Sequence, residues 1–271
     1  MNVMIIPAAG RGTRLDYSGP KLMFPLGGKP LISYLLVRYQ PYVDHFVIVI
    51  NPKDEQVVEN YLISTGYSYE FAYQAEATGM LDAILAPLPQ LKNRLGDAKP
   101  DQLWISWCDQ IGITHQTALA MHQLFDDTDE PCLIFPTIEK PQPYIHMQRD
   151  KWGEIIHVMQ RREGDDMPEI GENDCGLFGL SATTYFDLLP QFSDWLDTVS
   201  SVDNSNTESG VGATTHERNF LPFISWMRGK GTVSTYRAVD STESIGVNTV
   251  EDAEQLISAS GGVSQTATSN R

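Results

Sequence analysis

The 271-residue sequence has few basic residues, with 19 lysines and arginines against 35 aspartates and glutamates and a formal net charge of −16. Nucleic acids and anionic membrane surfaces both bind basic protein faces, so neither is expected as a partner. No apolar run approaches the ~20 residues that cross a bilayer. The N-terminal residues also lack the basic region and small-residue cleavage site of a signal peptide.

Cysteine is scarce as well, and the three cysteines, Cys108, Cys132 and Cys175, form no CxxC pair. An odd number of distant cysteines is typical of reduced thiols, so we expect a cytoplasmic protein. The histidines show no HxH or HExxH spacing, and a zinc site is therefore not expected. Hydrophobic residues make up 41% of the chain, which is enough to bury a large core.

Short apolar segments alternate with segments of helical periodicity in the first half of the chain. This alternation predicts a Rossmann-like three-layer α/β/α fold with a mostly parallel sheet. Pro87 and Pro89 are expected to end the third helix early. The predicted strands are 3–6, 45–50, 67–73, 103–107 and 132–136, and the predicted helices are 31–39, 54–64, 80–91 and 116–125.

The pattern changes at about residue 141. Predicted strands at 145–149, 154–160 and 176–180 indicate a small added β region within 141–180, inside one main domain of residues 1–257. Residues 198–215 are rich in Ser, Asn, Asp, Thr and Gly, which favours a mobile loop or, alternatively, a lid over a site. Residues 258–271 have almost no apolar content and are predicted to be a disordered tail.

The turn after the first strand carries the clearest functional pattern. Its small residues allow close backbone approach to a ligand, and successive N–H groups can hold an anion. The alternative is an ordinary tight turn. Leu15 replaces the third glycine of a dinucleotide fingerprint, and no Gly-Lys-Ser/Thr of a Walker A loop follows. The predicted triphosphate-binding residues are Ala8, Ala9, Gly10, Gly12, Thr13, Arg14 and Lys21.

The GxGTR motif, Pro20-Lys21 and the segment 26–31 together resemble the nucleotidyltransferases that join a nucleoside triphosphate to a sugar 1-phosphate. The uridylyltransferase domain that acts on N-acetylglucosamine 1-phosphate is the most similar member. The resemblance runs from residue 2 to about 256, and it implies the same fold. It also implies that Gly10, Gly12, Arg14 and Lys21 hold the triphosphate.

The segment from Gln74 to Gly79 resembles the family's base-recognition segment. A glutamine amide can pair with a carbonyl and an N–H together, which suits uracil or thymine. The alternative for Gln74 is a simple strand-end residue. Met80-Leu81 departs from the amino-sugar enzyme at the next positions.

Trp107-Cys108-Asp109 resembles the family's Gly-Asp, whose Asp binds magnesium, and Gly246-Val-Asn248 resembles the segment that supplies the second ligand. Mg²⁺ takes oxygen ligands and keeps several waters, so one carboxylate, one amide oxygen and phosphate oxygens suffice. Cys108 replaces the family's glycine and is, with Gln74 and Gly79, a predicted nucleotide-binding residue. The alternatives are a strand-end helix cap for Asp109 and a capping box with Glu251 for Asn248.

The predicted acceptor-binding residues depart from the family. Tyr144-Ile145 stands in place of Tyr-Gly, Gln160 in place of a Glu, and Asp174 in place of an Asn. A different sugar or another phosphorylated acceptor is therefore expected. Arg161, with its neighbour Arg162, is a candidate for holding the acceptor phosphate, and a basic turn between strands is the alternative.

The resemblance predicts an enzyme that joins UTP or dTTP to a sugar 1-phosphate and releases pyrophosphate, with Arg14, Lys21 and Asp109 as catalytic residues and Mg²⁺ as cofactor. A cytidylyltransferase acting on an alcohol or choline phosphate is the alternative enzyme, and a non-catalytic nucleotide sensor is the alternative of another class. No hexapeptide repeats follow, so the acetyltransferase domain of bifunctional relatives is expected to be absent. The sequence predicts no oligomeric state.

Overall fold

The structure, a computed structural model, describes residues 1–10, 12–96, 98–200, 215 and 217–259. Eight strands of this described part form one mixed sheet, in the order β10-β7-β11-β6-β1-β4-β5, with β12 also paired to β7. The strands are β1 (Val3–Pro7), β2 (Pro25–Leu26), β3 (Lys29–Pro30), β4 (His45–Ile50), β5 (Tyr69–Tyr73), β6 (Leu103–Ser106), β7 (Cys132–Pro141), β8 (Ile145–Arg149), β9 (Ile155–Gln160), β10 (Ile170–Asp174), β11 (Leu177–Leu180) and β12 (Thr232–Arg237).

Helices cover both faces of this sheet. The first begins after Pro30, whose extended backbone precedes a stripe of buried apolar residues. A π-helical turn at Thr184–Leu188 continues directly into the sixth. The helices are α1 (Leu31–Tyr39), α2 (Glu55–Leu62), α3 (Met80–Leu85), α4 (Leu88–Leu95), α5 (His115–Asp126), α6 (Leu189–Ser200), α7 (Pro222–Trp226) and α8 (Val250–Ala259).

Strand β1 shows why the fold has three layers. Its residues are buried throughout, and alternate side chains enter different cores. Val3 and Ile5 pack in the core that also contains residues of α3, α6 and α7. Met4 and Ile6 pack in the opposite core, with residues of α1, α2 and α5. The predicted α/β/α class is confirmed.

The strands that follow βαβ connections pair in parallel, as β1 does with β4 and β6, and β4 does with β5. Their carboxyl ends therefore meet at one edge of the sheet. Strand β11 runs antiparallel between β6 and β7. The expectation that residues 176–180 belong to an added β region was therefore wrong. The two-stranded hairpin β8–β9 forms a separate small sheet.

Several predicted boundaries differ from the structure, and the main differences concern helices. The predicted helix 80–91 is two helices, because Ala86 and Pro87 separate α3 from α4. Helix α6 extends to Ser200, past the predicted loop start at residue 198. Helix α8 extends to Ala259, past the predicted start of the tail. The rest of the predicted loop, except Thr215, and the rest of the predicted tail lie outside the described residues.

Candidate active site

A cavity of about 480 Å³ opens at the carboxyl edge of the parallel strands, where ligands bind in doubly wound sheets. One side, called here the turn side, is lined by residues that follow β1 and β5. The other, the hairpin side, is lined by residues in or next to β7, β8, β9 and β10, by Thr215 and by residues within 217–221. The turn side comprises Pro7, Ala9, Gly10, Lys21, Gln74 and Gly79, and the hairpin side comprises Lys140, Tyr144, Gln160, Arg162, Asp174 and Asn219.

The turn after β1 shapes the space around Lys21. Gly12 has a φ of 55°, which is in the left-handed region that favours glycine. A Cβ atom at Gly12 would lie 3.0 Å from the Cβ atom of Lys21 and 3.1 Å from its Cγ atom. Gly12 thus lets the lysine side chain pass close to the turn. A Cβ atom at Gly10, by contrast, would meet no atom within 4 Å.

Lys21 joins the two predicted metal ligands. Its Nζ atom donates to a carboxylate oxygen of Asp109, with which it forms a salt bridge, and to Oδ1 of Asn248 at 2.9 Å. Arg14 donates to the same Asn248 oxygen at 3.0 Å. Residues separated by more than 200 positions in the sequence therefore meet around one ammonium group. Both members of the salt bridge are largely buried.

Gly246 permits this approach. A Cβ atom at Gly246 would lie 3.2 Å from Nδ2 of Asn248 and 3.3 Å from Cγ of Asp109. The two oxygen-bearing side chains already face one cationic group, so their chemistry fits a hard cation that is shared with phosphate oxygens. Within the described residues, no cluster of three or more His, Cys, Asp or Glu side chains could hold a metal by itself.

The structure does not contain the capping box of Asn248 with Glu251 that the sequence offered as an alternative. Thr249 and Asp252 form the capping interactions of α8: the Asp252 carboxylate accepts from the Asn248 and Thr249 N–H groups, and Thr249 Oγ1 accepts from the Asp252 N–H. The capping box therefore begins one residue later than the sequence alternative placed it. The Asn248 amide remains directed to Lys21 and Arg14.

Gln74 closes the loop that precedes α3. Its Nε2 atom donates to the Gly79 carbonyl at 3.0 Å and to Thr78 Oγ1 at 3.3 Å. Gly79 has a φ of 134°, and any Cβ there would overlap the backbone of Arg218. Backbone hydrogen bonds from Arg218 to Thr78 and from Leu81 to Arg218 join this loop to the hairpin side.

The predicted acceptor residues divide into two groups. Tyr144, Gln160 and Asp174 line the cavity, whereas Arg161 is absent from its wall. The Arg161 guanidinium donates instead to the Pro143 carbonyl at 3.1 and 3.2 Å. Arg162 does line the cavity, and it forms a salt bridge with Glu217. Arg161, which was expected to hold a phosphate, is thus bound to the backbone carbonyl of Pro143.

The predicted nucleotide residues are also distributed unevenly. Ala9, Gly10, Lys21, Gln74, Gly79 and Cys108 line the cavity. Ala8 is buried behind the turn. Gly12 and the backbone of Thr13 shape the turn, and Arg14 reaches the site through Asn248.

Burial raises the pKa values of two titratable groups of the cavity, Asp174 and Cys108. Burial raises the pKa of the Asp174 carboxyl to about 6, although hydrogen bonding to the Gly176 N–H and the charge of Lys140 oppose this shift. Burial, with the charge of Asp109, raises the pKa of the Cys108 thiol to about 12. Cys108 is therefore a neutral thiol at pH 7 and takes the place of a small residue rather than a nucleophile.

The sequence missed several residues that line the cavity. Lys140 lies near the end of the long strand β7, and its Nζ atom donates to Ser244 Oγ at 3.2 Å. Lys140 forms no salt bridge with any described residue. Gln110 directly follows Asp109, and Asn219 donates to Gln160 Oε1 at 2.5 Å. No motif contains these residues, because pairing between distant strands and loops brings them to the cavity.

The model of the MobA-like NTP transferase domain family matches residues 4–169, which is more than half of the chain. The chain belongs to this family. The matched region contains β1 to β9, with the turn side of the cavity, Asp109 and Lys140. The predicted class, a nucleotidyltransferase enzyme, is thereby confirmed.

Curated relatives agree with this assignment. The chain is 32% identical over 195 residues to "Bifunctional protein GlmU" of Chromohalobacter salexigens, a match of 70% of this chain and 40% of the relative. It is 26% identical over 192 residues to the protein of the same name from Francisella philomiragia, with the same coverage. The chain thus matches about two fifths of the length of these relatives. The resemblance to sugar-phosphate nucleotidyltransferases stated from the sequence is confirmed.

In the part of the chain that the structure describes, no helix has the length and apolarity to cross a bilayer. The three cysteines are all free and buried.

Proposed function

We propose that this chain transfers a nucleotidyl group from UTP or dTTP to a sugar 1-phosphate and releases pyrophosphate. The observation that carries the proposal is the contact of one lysine, Lys21, with both Asp109 and Asn248 beside the turn after β1. The chain belongs to an NTP transferase family. A lysine ammonium and two oxygen-bearing side chains beside an anion-binding turn are suited to bind the triphosphate of an NTP.

On the turn side, the backbone of residues 8–10, 12 and 13 would hold the phosphates, with Lys21 and Arg14 adding positive charge. Both cations are fixed before the substrate binds, because the Asn248 oxygen accepts from each. Such preorganised charge can stabilise the additional charge of the transition state without further rearrangement.

Gln74 supports the preference for UTP or dTTP. Its Nε2 atom already donates to two groups of its own loop, which leaves Oε1 to accept from a ligand. Uracil and thymine offer a ring N–H to such an oxygen, whereas adenine and cytosine have no ring N–H on their pairing edge. Guanine also has one, so GTP is included in the test.

Asp109 and Asn248 would hold Mg²⁺ together with phosphate oxygens, and Lys21, which stays beside them, would face the triphosphate. When bound, the metal ion supplies charge neutralisation at the α-phosphate. The acceptor phosphate oxygen attacks the α-phosphorus, the bond from that phosphorus to the β-phosphate oxygen breaks, and pyrophosphate leaves. The protein contributes position and charge rather than a covalent intermediate.

Lys140 is better suited than Arg161 to hold the acceptor phosphate. It lines the hairpin side and forms no salt bridge with a described carboxylate, whereas Arg162 pairs with Glu217 and Arg161 with a backbone carbonyl. An ammonium without a salt-bridge partner among the described residues, in a chain of charge −16, favours an anionic ligand at this position.

The test is a pyrophosphate-release assay with ATP, CTP, GTP, UTP and dTTP, each combined with hexose 1-phosphates, amino-hexose 1-phosphates, polyol phosphates and choline phosphate. Turnover with UTP or dTTP and a sugar 1-phosphate, abolished by EDTA and restored by Mg²⁺, is the expected result. Turnover with CTP and choline phosphate alone would make the chain a cytidylyltransferase. Binding of nucleotide without turnover in any combination would indicate a sensor.

A further inference from the structure

Gln110 is a buried residue of the cavity wall that the nucleotide and metal assignments leave without a role. Its side chain is 9% exposed, and it lines the cavity. The Oε1 atom is inaccessible to solvent and has no hydrogen-bond partner among the described residues. Buried polar atoms nearly always have a partner, so an orphaned acceptor in a ligand cavity indicates that a ligand supplies the donor.

Glycines on two sides leave room for the Gln110 side chain. A Cβ atom at Gly176 would overlap Cγ of Gln110, and one at Gly246 would lie 3.2 Å from its Nε2 atom. Gly176 has a φ of 69°, in the region that favours glycine. The backbone at both positions therefore leaves room for a glutamine whose amide group stays at the cavity.

The position of Gln110 lies between the two proposed substrates. On one side, Gly246 also approaches Asp109, the proposed metal ligand. On the other side, Gly176 donates its N–H to Oδ2 of Asp174, a residue of the hairpin side. The Asn248 amide, which also lies close to Gly246, donates from Nδ2 to the Gly246 carbonyl at 3.2 Å, and no donor among the described residues reaches Gln110 Oε1. A ligand at this point must bring its own donor.

We propose that the Gln110 side chain turns Oε1 into the cavity to accept a hydrogen bond from a hydroxyl group of the acceptor, and that Gln110 thereby selects hydroxylated phosphate esters over acceptors without a donor. This inference rests on the proposed function, because it assigns a specificity-determining residue to the same site. The trimethylammonium end of choline phosphate has no N–H or O–H and would leave the Gln110 oxygen orphaned. Sites that hydrogen-bond a substrate hydroxyl discriminate strongly against analogues that lack it.

The first experiment compares Gln110→Met with Gln74→Met. Methionine has nearly the length of glutamine and lacks the amide oxygen. For Gln110→Met we expect the KM for the sugar 1-phosphate to rise by about 10- to 100-fold, with the KM for the NTP within about twofold. For Gln74→Met we expect the KM for the NTP to rise, and the KM for the sugar 1-phosphate to stay within about twofold. An acceptor KM that is unchanged in a folded Gln110→Met protein would overturn the inference.

The second experiment uses the unaltered protein with a series of monodeoxy hexose 1-phosphates. One member of the series should bind to the unaltered protein at least about tenfold more weakly than the parent compound. The Gln110→Met protein should bind that member and the parent compound with equal affinity. If Gln110→Met does not fold, the series on the unaltered protein decides alone. Equal binding of every deoxy analogue would then refute the role of Gln110.

Both comparisons are repeated as acceptor binding by titration calorimetry, without turnover. If no acceptor yields pyrophosphate, the proposed function fails, and a calorimetric loss in Gln110→Met would still support the hydroxyl contact. If pyrophosphate is released and the calorimetric affinities of both proteins are equal, the proposed function stands and the Gln110 assignment is wrong.

Discussion

The turn side of the cavity is formed where β1 and β5 end, whereas the hairpin side is formed by strands that pair antiparallel, by Thr215 and by residues within 217–221. On the turn side, short segments carry several functional side chains in order, so motifs show in the sequence. On the hairpin side, side chains already pair with each other, as Arg162 does with Glu217 and Asn219 with Gln160. Under the proposed function, the turn side holds the triphosphate and the hairpin side holds the acceptor.

The largest effect is expected at the junction of the two sides. Asp109→Ala should lower kcat by about 1,000-fold or more, because the only charged member of the proposed metal pair is lost. Asp109→Asn should retain a little activity through its remaining oxygen, and Asn248→Asp should be the mildest change of the three. Pyrophosphate release at several Mg²⁺ concentrations measures these differences. Full activity of Asp109→Ala, or turnover in EDTA, would show that the pair is structural.

Lys21 tests the turn side alone. Lys21→Ala should lower kcat/KM by about 100-fold, which is the range for one preorganised charge contact. It should also lower the melting temperature slightly, because the largely buried Asp109 carboxylate loses its partner. Lys92→Ala is the matched control, since Lys92 is an exposed residue of α4. Near-normal turnover of Lys21→Ala would remove the phosphate role.

Lys140 tests the hairpin side alone. Lys140→Met should raise the KM for the acceptor by about 10- to 100-fold and leave the KM for the NTP unchanged, because a charge-assisted contact to the acceptor phosphate is lost. Lys151→Met, at the exposed turn of the β8–β9 hairpin, controls for a general loss of positive charge. Equal effects on both KM values would mean that Lys140 serves the nucleotide or the fold instead.

The same comparison explains how much the sequence could predict. The parallel strands and the turn after β1 were predicted because hydrophobic periodicity and glycine spacing are local properties. Strand β11 was placed in the wrong sheet because its partners, β6 and β7, are chosen by packing and not by its own residues. Arg161 was predicted as a phosphate ligand from its charge, and only the tertiary structure brings the Pro143 carbonyl to it. Lys140 and Gln110 escaped prediction because no pattern of neighbouring residues distinguishes them.

The last effect is on stability rather than on turnover and concerns the charge of Asp174, whose carboxyl has a pKa of about 6 against an ordinary value of 3.8. The native state therefore binds this proton more tightly than the unfolded chain, and stability falls as the pH rises from about 4 to about 6. Above that window the ionised carboxylate costs up to about 3 kcal/mol, from a shift of roughly two pKa units.

Asp174→Asn keeps an oxygen for the Gly176 N–H and removes the charge. It should raise the free energy of unfolding by up to about 3 kcal/mol at pH 8, and change it little at pH 4. Denaturant unfolding at intervals between pH 4 and pH 8 measures this, with the exposed Asp166→Asn as control. Parallel stability curves for Asp174→Asn and the unaltered protein would contradict the raised pKa. Asp174 lines only the hairpin side. If Asp174→Asn is more stable and has a higher KM for the acceptor, the hairpin side retains a destabilising charge that serves the binding of its ligand.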